Sequence, residues 1–314
     1  MSVVKTPGLE IAKTLGKGYY FTPLPYWHEG TDYTWVKLDL QEGDNEIWVY
    51  YGSETATDES DGDGVFEFFD DLTSANYTVI RGNSSQVSIV DGSWLRIDAS
   101  SGYSDKGDII VKWNESFDLS GNFVVFWKAY LEDPSEWEGV IVEDGSGNGY
   151  SGGFYGWSGA KGSIGRWSGY NENLLAQEIP HSLGSTGDTE IYRWSKVGST
   201  LTLYDPNSWT SIVTVNDSTY NSFSYVTFRV YKYAKWKWDW IAIAKYSSSP
   251  PSISYSSEES GLWIIDGHTF TKRKKVTITS SQALSGYQIQ LDYSQWGEPG
   301  IKIMRKVQVV GELG

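Results

Sequence analysis

The stretch Thr271 to Leu291, TKRKKVTITSSQALSGYQIQL, reads as two β-strands joined by a turn, the opening of a β-domain. It lies close to the end of a 314-residue chain, which leaves too little sequence behind it to complete such a domain. The missing strands must come from elsewhere. At the opposite end, residues 20 to 52 carry short strand patterns: TWVKLDL, the turn QEGDN and EIWVYYG. Val36, Leu38 and Leu40 alternate with polar neighbours, as do Ile47 and Val49, so this pair predicts a hairpin with one buried face.

Between these ends the pattern changes. TATDESDGDG (55–64) breaks the alternation and reads as a loop or linker. From Val65 to Tyr246 follows a longer series of strand patterns, among them VFEFFDDL, GNFVVFWKAYL, WEGVIVEDG, YVTFRVYKY and WKWDWIAIAKY, with no amphipathic helix. Short strands at such regular intervals predict a two-sheet sandwich. KVGSTLTLYD predicts a hairpin through Val197-Gly198-Ser199, and SSSPPSISYSSEESG (247–261) an extended connector. Composition agrees with an all-β chain: aromatics are 16% of residues, with 16 Trp and 22 Tyr, and 34 Gly supply turns.

The formal charge of −15 argues against nucleic acid or an anionic membrane as partner, because both demand a cationic face. The basic runs Lys272 to Lys275 and Lys232 to Lys237 read as solvated strand faces. With no cysteine there is no disulfide framework and no thiolate chemistry. No stretch is long and apolar enough to insert in a membrane, and MSVVKTPGLEIAKTLGKGYYF lacks the apolar run of a signal peptide. Either a leader is missing from this sequence or the protein is released by another route, such as inside a virion. Sequons at Asn76, Asn83, Asn114 and Asn216 fit a glycosylated exterior.

PLPYWHEG (23–30), IWVYYGSETATDESDGDGVFEFFDDL (47–72) and the opening stretch resemble an uncharacterised β-domain of archaeal and bacterial surface proteins, a domain of unknown function. Its pattern is Y-R-K-x-I-T-I-T, then L-P-Y-W-x-E, then I-W-V-Y-Y-G. The resemblance implies that a concanavalin A-like (laminin-G-like) sandwich follows, from an F-x-F-F-D-D start to a D-W-x-x-V-x-K-Y strand. Phe66 to Asp71 and Asp239 to Tyr246 match those two ends, with Ile243 in place of Val. The order departs from the family: the KKVTIT half comes after the LPYW half, and GIKIM (300–304) resembles the strand that leads into LPYW.

The expected architecture is thus a concanavalin A-like jelly-roll sandwich over 65–246, a Ser/Pro-rich linker over 247–262, and a smaller β-sandwich assembled from 1–64 and 263–314. The halves either close within one chain or exchange between copies. Closure is favoured by an effective concentration of about mM or higher, whereas exchange generates a head-to-tail filament.

No catalytic constellation emerges. His28, His181 and His268 are isolated in different segments, and Gly156-Trp-Ser158-Gly-Ala160 lacks the last glycine of a nucleophile elbow. The acidic run Glu132-Asp-Pro-Ser-Glu136-Trp-Glu138 is interrupted by Pro134, which cannot donate to a ladder, so a glycosidase carboxylate strand is not formed. Asp58 to Gly64 lacks the final bidentate Glu of a helix-loop-helix calcium loop. The resemblance implies a structural calcium between first and last sandwich strands, held by Glu67, Asp70 or Asp71 with Asp239. Trp157, Trp167, Tyr170, Tyr155 and Asn148 are candidate glycan contacts, since flat rings stack on sugars while amides take hydroxyls. The same rings also fit a sandwich core.

The expectation is a non-enzymatic structural subunit of an extracellular assembly, on a cell or virion surface, needing no cofactor beyond that calcium. It would contact copies of itself through residues 1–20 and 300–314. The alternatives are a monomeric adhesin binding cell-surface glycans and a glycoside hydrolase.

Overall fold

The computed structural model describes residues 5–6, 9–14, 17–30, 33–100, 107–133, 136–155, 161–178, 186–206, 208–231, 233–296 and 301–308, with only the backbone course given for 5–6, 9–14, 17–20, 155, 161 and 306–308. The chain forms two compact units: 1–66 with 249–314, and 67–248.

In the first unit, the opening stretch finds its partners at the other end of the chain. Strand His268–Ser280 lies antiparallel to Gly43–Tyr51, with Val276 opposite Ile47 and Lys274 opposite Val49. Leu284–Asp292 lies antiparallel to Tyr33–Leu40, with Tyr287 opposite Leu38 and Ile289 opposite Val36. The alternating apolar residues of all four strands face one another and bury Val36, Leu38, Ile47, Val49, Val276, Ile278, Ile289 and Leu291 in one core. Strand Lys302–Gln308 sits between Gly43–Tyr51 and Lys17–Pro23, inside a sheet that continues through Leu9–Thr14 to Lys5–Thr6. The described parts of both terminal arms are therefore strands of their own chain's sheet.

The Ser/Pro-rich stretch expected as a connector is a correction: it contains strands Ser252–Tyr255 and Glu259–Ile265, both paired with His268–Ser280. Ile253 and Tyr255 alternate with serines and pack on the core, so a period-2 pattern was hidden in a polar composition. The acidic loop that follows Tyr51 ends in a single helical turn, Gly62–Val65, capped by Asp61.

The second unit is a sandwich. One sheet runs in the order Ser211–Asn216, Thr200–Tyr204, Thr189–Val197, Phe123–Asp133, Lys235–Lys245, Trp94–Asp98, Val87–Val90, with Phe68–Asp70 also on Lys235–Lys245. The facing sheet runs Asn171–Glu178, Lys161–Ser168, Gly149–Tyr155, Trp137–Glu143, Tyr225–Tyr231, Asp108–Trp113, Tyr77–Arg81. Rings meet between the two sheets: Phe154 lies 4.9 Å from Tyr192, and Phe228 lies 5.3 Å from Trp238, centroid to centroid. Gly152 leaves the space that the Trp194 indole fills, for a Cβ there would lie 2.6 Å from it. The hairpin at Gly198-Ser199 joins Val197 to Thr200, with Gly198 at φ +58°.

Trp236, Trp238 and Trp240 do not share a face, as simple alternation would have it. A bulge at Asp239 pairs Lys128 with Trp240 but Ala129 with Trp238, so Trp236 and Trp238 enter the core and Trp240 leaves it.

Candidate functional site

The outward face of the second sandwich sheet carries an unusual layer, and its origin is the glycine and serine content of two neighbouring strands. In GYSGGFY and KGSIGRWS, every second residue points away from the core: Gly149, Ser151 and Gly153 on one strand, Ser163, Gly165 and Trp167 on the next. Indoles pack against these small residues. A Cβ on Gly139 or Gly153 would approach the Trp137 ring to 2.5 Å. The ring N–H groups are anchored below, Trp137 Nε1 to Ser163 Oγ at 2.6 Å and Trp167 Nε1 to Ser151 Oγ at 2.8 Å.

On this layer rests one guanidinium. Arg229 lies 4.6 Å from the Trp137 ring, 4.9 Å from Trp167 and 5.3 Å from Tyr231. Its Nε donates to Asp108 at 3.1 Å and its Nη1 to Glu172 at 2.8 Å. Asp108 also takes both hydrogen bonds of Arg81 Nη1, each 2.9 Å, and Arg81 Nη2 donates to the Tyr170 carbonyl at 2.8 Å. Nearby, Glu143 accepts from the Gly145 and Gly147 N–H groups, from Thr227 Oγ1 at 3.2 Å and from the Tyr170 hydroxyl at 3.3 Å. Burial, and then the charge of Glu143, pushes the Tyr170 phenol above its usual range, so it stays protonated and donates. These carboxylates are held as hydrogen-bond acceptors by charged and polar donors around them.

Trp167 belongs to this layer and is a correction to the expected sugar platform. It is 1% exposed, and its ring faces Arg229 instead of solvent. Tyr170 is half-buried and takes a left-handed backbone, φ +58°, against Gly147. Asn148 closes the Asp144-Gly-Ser-Gly turn, donating to Asp144 at 2.9 Å and accepting from Gly169 N–H at 3.0 Å. Trp157, His181 and the side chain of Tyr155 lie outside the described residues.

The four expected calcium ligands do not converge. Asp70 points inward, accepting from Leu72 N–H at 2.6 Å and from Trp113 Nε1. Asp239 points outward to Lys128 at 2.7 Å. Glu67 faces Lys245 at 3.9 Å, and Asp71 accepts from Thr73 Oγ1 at 2.8 Å within its own turn. Carboxylates on opposite faces of a sheet cannot share one ion, and among the described residues no three His, Cys, Asp or Glu side chains form a metal cluster. Glu132 of the acidic run pairs with Arg96 at 2.7 Å, and Glu138 is buried in the core. Of the sequon asparagines, Asn83, Asn114 and Asn216 are exposed and Asn76 is half-buried.

Arg229 was missed by residue-by-residue reading. Its signal is a cation at a phase shared with Thr227 and Tyr231 in YVTFRVYKY, where the opposite phase is wholly apolar.

Two facing antiparallel sheets around a core of aromatic rings define the second unit as a β-sandwich, and the chain as all-β. Residues 18–95 match a family described as a domain of unknown function, DUF2341. That span includes PLPYWHEG and IWVYYG and ends well before Thr271. No curated protein matches the chain. Among solved structures, the chain is similar to the carbohydrate-binding module CBM66 from Bacillus subtilis, at 12% identity over 54% of this chain and 94% of that one, with a TM-score of 0.39. It is similar to a legume lectin-like domain from Entamoeba histolytica, at 12% identity over 55% and 91%, TM-score 0.41. It is also similar to a β-1,3-glucanase from Mycobacterium marinum, at 11% identity over 57% and 99%, TM-score 0.40.

Proposed function

We propose that this chain is a non-enzymatic structural subunit of an assembly on the exterior of a cell or particle. In this reading it displays a lectin-like sandwich and contacts further copies through the β-domain built from its two ends. One observation carries the proposal. On strand Glu259–Ile265, Leu262 is 77% and Ile264 is 68% exposed, and as residues i and i+2 they share one face. Among the described strands this one pairs only with His268–Ser280, so its other edge offers unpaired N–H and C=O groups beside two bare aliphatic side chains. Covering each aliphatic chain fully is worth about 1.5–3 kcal/mol. A second copy is the occupant: copies each carrying −15 repel at long range, so short-range apolar burial and strand pairing must hold them.

Association should therefore strengthen with salt. Light scattering on the whole chain across concentration, at low and high salt, is expected to give species larger than the monomer. The double variant Leu262→Asp, Ile264→Asp should abolish them while circular dichroism stays unchanged. A wild-type chain that remains monomeric throughout would sink the proposal. Deleting residues 300–314 is a poor substitute, because Lys302–Gln308 is an interior strand.

A second reading, a glycan-binding module, is favoured by the half-buried rings of Tyr170 and Tyr231 at the margin of the Arg229 layer. Binding to immobilised glycans by the wild type, lost in both Tyr170→Ala and Tyr231→Ala, would support it. Equal binding by all three proteins would eliminate that surface.

A further inference from the structure

Lys302 is the candidate the fold singles out. Its side chain is 5% exposed, yet its ammonium sits between the carboxylates of Glu59 and Asp266, the latter at 3.3 Å. The three come from separate segments: the C-terminal strand, the acidic loop after Gly43–Tyr51, and the turn between Glu259–Ile265 and His268–Ser280. We propose that this triad is the site of an intramolecular amide cross-link between Lys302 Nζ and Asp266 Cγ, with Glu59 as the proton carrier.

Each partner is held in place independently of the ion pairs. Asp266 and Gly267 form a two-residue turn with φ of +53° and +84°, and Ile265 beside them packs with Phe270, Tyr50 and Met304. Met304 lies on the same strand as Lys302, so packing fixes the turn against that strand. Glu59 is fixed through Tyr26. The Glu59 N–H donates to the Tyr26 hydroxyl at 3.0 Å, and that hydroxyl donates to the carbonyl of Ile301, the neighbour of Lys302, at 3.2 Å. The Asp61 N–H donates to the Tyr26 carbonyl at 2.9 Å, which clamps the loop from its other side.

The reaction is a dehydration and needs no oxidant or co-reactant. Glu59 accepts one proton from the Lys302 ammonium and passes it to an Asp266 oxygen, so that a neutral amine faces a neutral carboxyl, and the freed lone pair forms the N–Cγ bond. Glu59 then takes one of the two protons left on nitrogen and delivers it to the Asp266 hydroxyl. The C–O bond breaks, and that oxygen departs as water. Lys302 and Asp266 end as a neutral amide carrying one N–H, and Glu59 is again a carboxylate. Water normally opposes amide formation between free ions. Fixed neighbours react with effective molarities of about 10⁵–10⁸ M when well aligned, which can outweigh the water concentration. The product would tie the last described strand to the hairpin turn, closing the β-domain covalently in a chain without cysteine.

Intact-mass measurement of the full purified chain tests this directly. The expected result is a mass one water, about 18 Da, below that of the sequence. Proteolysis should release a branched peptide joining the segments that hold Lys302 and Asp266. Lys302→Arg keeps a cation but cannot form the link, and Asp266→Ala removes the electrophile; both should show their full mass. Glu59→Gln should retain full mass or convert far more slowly. A wild-type mass equal to that of the sequence after prolonged incubation overturns the proposal. So does a water loss without a branched peptide, which would mark a cyclic imide at Asp266-Gly267. A branch between Lys302 and Glu59 overturns the assignment of Asp266 as the reacting carboxyl.

Discussion

Arg229 and Asp108 form a salt bridge of 3.1 Å on the outward face of the sandwich, although both side chains are almost wholly withdrawn from solvent. A buried ion pair contributes little net stability when intact, but removing one partner strands the other in a poor dielectric. Arg229→Ala should lower the stability of the sandwich by about 3–5 kcal/mol, because Glu172 loses its partner and the rings lose their filling. Arg229→Lys should recover only part of this, since an ammonium cannot donate to Asp108 and Glu172 in the same fork while stacking on indoles. Differential scanning calorimetry, which resolves separate transitions, is the measurement. Full recovery with Lys would show that charge alone matters there.

The indoles beneath Arg229 demand backbone without side chains. A Cβ at Gly153 would lie 2.5 Å from Trp137 and 2.2 Å from the Glu138 carbonyl. Neither a buried ring nor a ladder carbonyl can retreat, so Gly153→Ala should cost roughly 1–3 kcal/mol by overpacking. Trp167→Ala should cost about 3–5 kcal/mol through the cavity it leaves. Either loss appearing at unchanged stability, as a defect in ligand binding alone, would return Trp167 to the surface-platform role.

The pairing of the two chain ends was legible because period-2 alternation is a local signal: Val276 and Ile278 need an apolar face opposite them, and Ile47 and Val49 supply it. The sandwich was legible for the same reason. Which way its rings point was not, because GYSGGFY and KGSIGRWS carry small and large residues in both phases, and alternation alone cannot say which phase is inside. The bulge at Asp239 leaves no mark in KWKWDWIAIAKY, whose pattern fits either register. The Lys302 triad was hidden more deeply. It joins residues 243 apart in sequence, and each of its members looks like an ordinary surface charge.

Asp70 faces the core and Asp239 the outside, so a calcium ion shared by these two side chains should not stabilise the sandwich. Adding EDTA or millimolar calcium is expected to leave its melting temperature unchanged, and a rise with calcium would contradict the placement of these two side chains. Asp70 has a pH signature of its own. Burial raises its carboxyl to about 6, against the hydrogen bonds from Leu72 N–H and Trp113 Nε1. The folded state thus holds this proton more tightly than the unfolded chain. The stability this contributes is full below about 3.8 and is lost as pH rises through about 6. Asp70→Asn should remove that component from the pH profile of thermal unfolding.

Glu138 makes the strongest case for a group that costs the protein stability. It points between the sheets from strand Trp137–Glu143, is completely buried, and lies among Trp127 and Trp238 from the facing sheet, with Glu190 and Tyr192 nearby. Burial pushes its carboxyl well above the usual range. The indole N–H groups of Trp127 and Trp238 pull it down by less, and the charge of Glu190 pushes it further up. The folded chain therefore retains the Glu138 proton where the unfolded chain has released it. Its contribution to stability is present in acid, below the ordinary carboxylate range near 4.5, and is lost as pH rises toward the elevated folded value. Glu138→Gln keeps the shape and carries no charge. It should raise the melting temperature at neutral pH, by roughly 1–3 kcal/mol in stability, and leave stability at acid pH nearly unchanged. Measuring unfolding of both proteins at several pH values checks the sign. A variant less stable than the wild type at neutral pH would mean that the carboxylate is ionised in the fold and satisfied by donors around it.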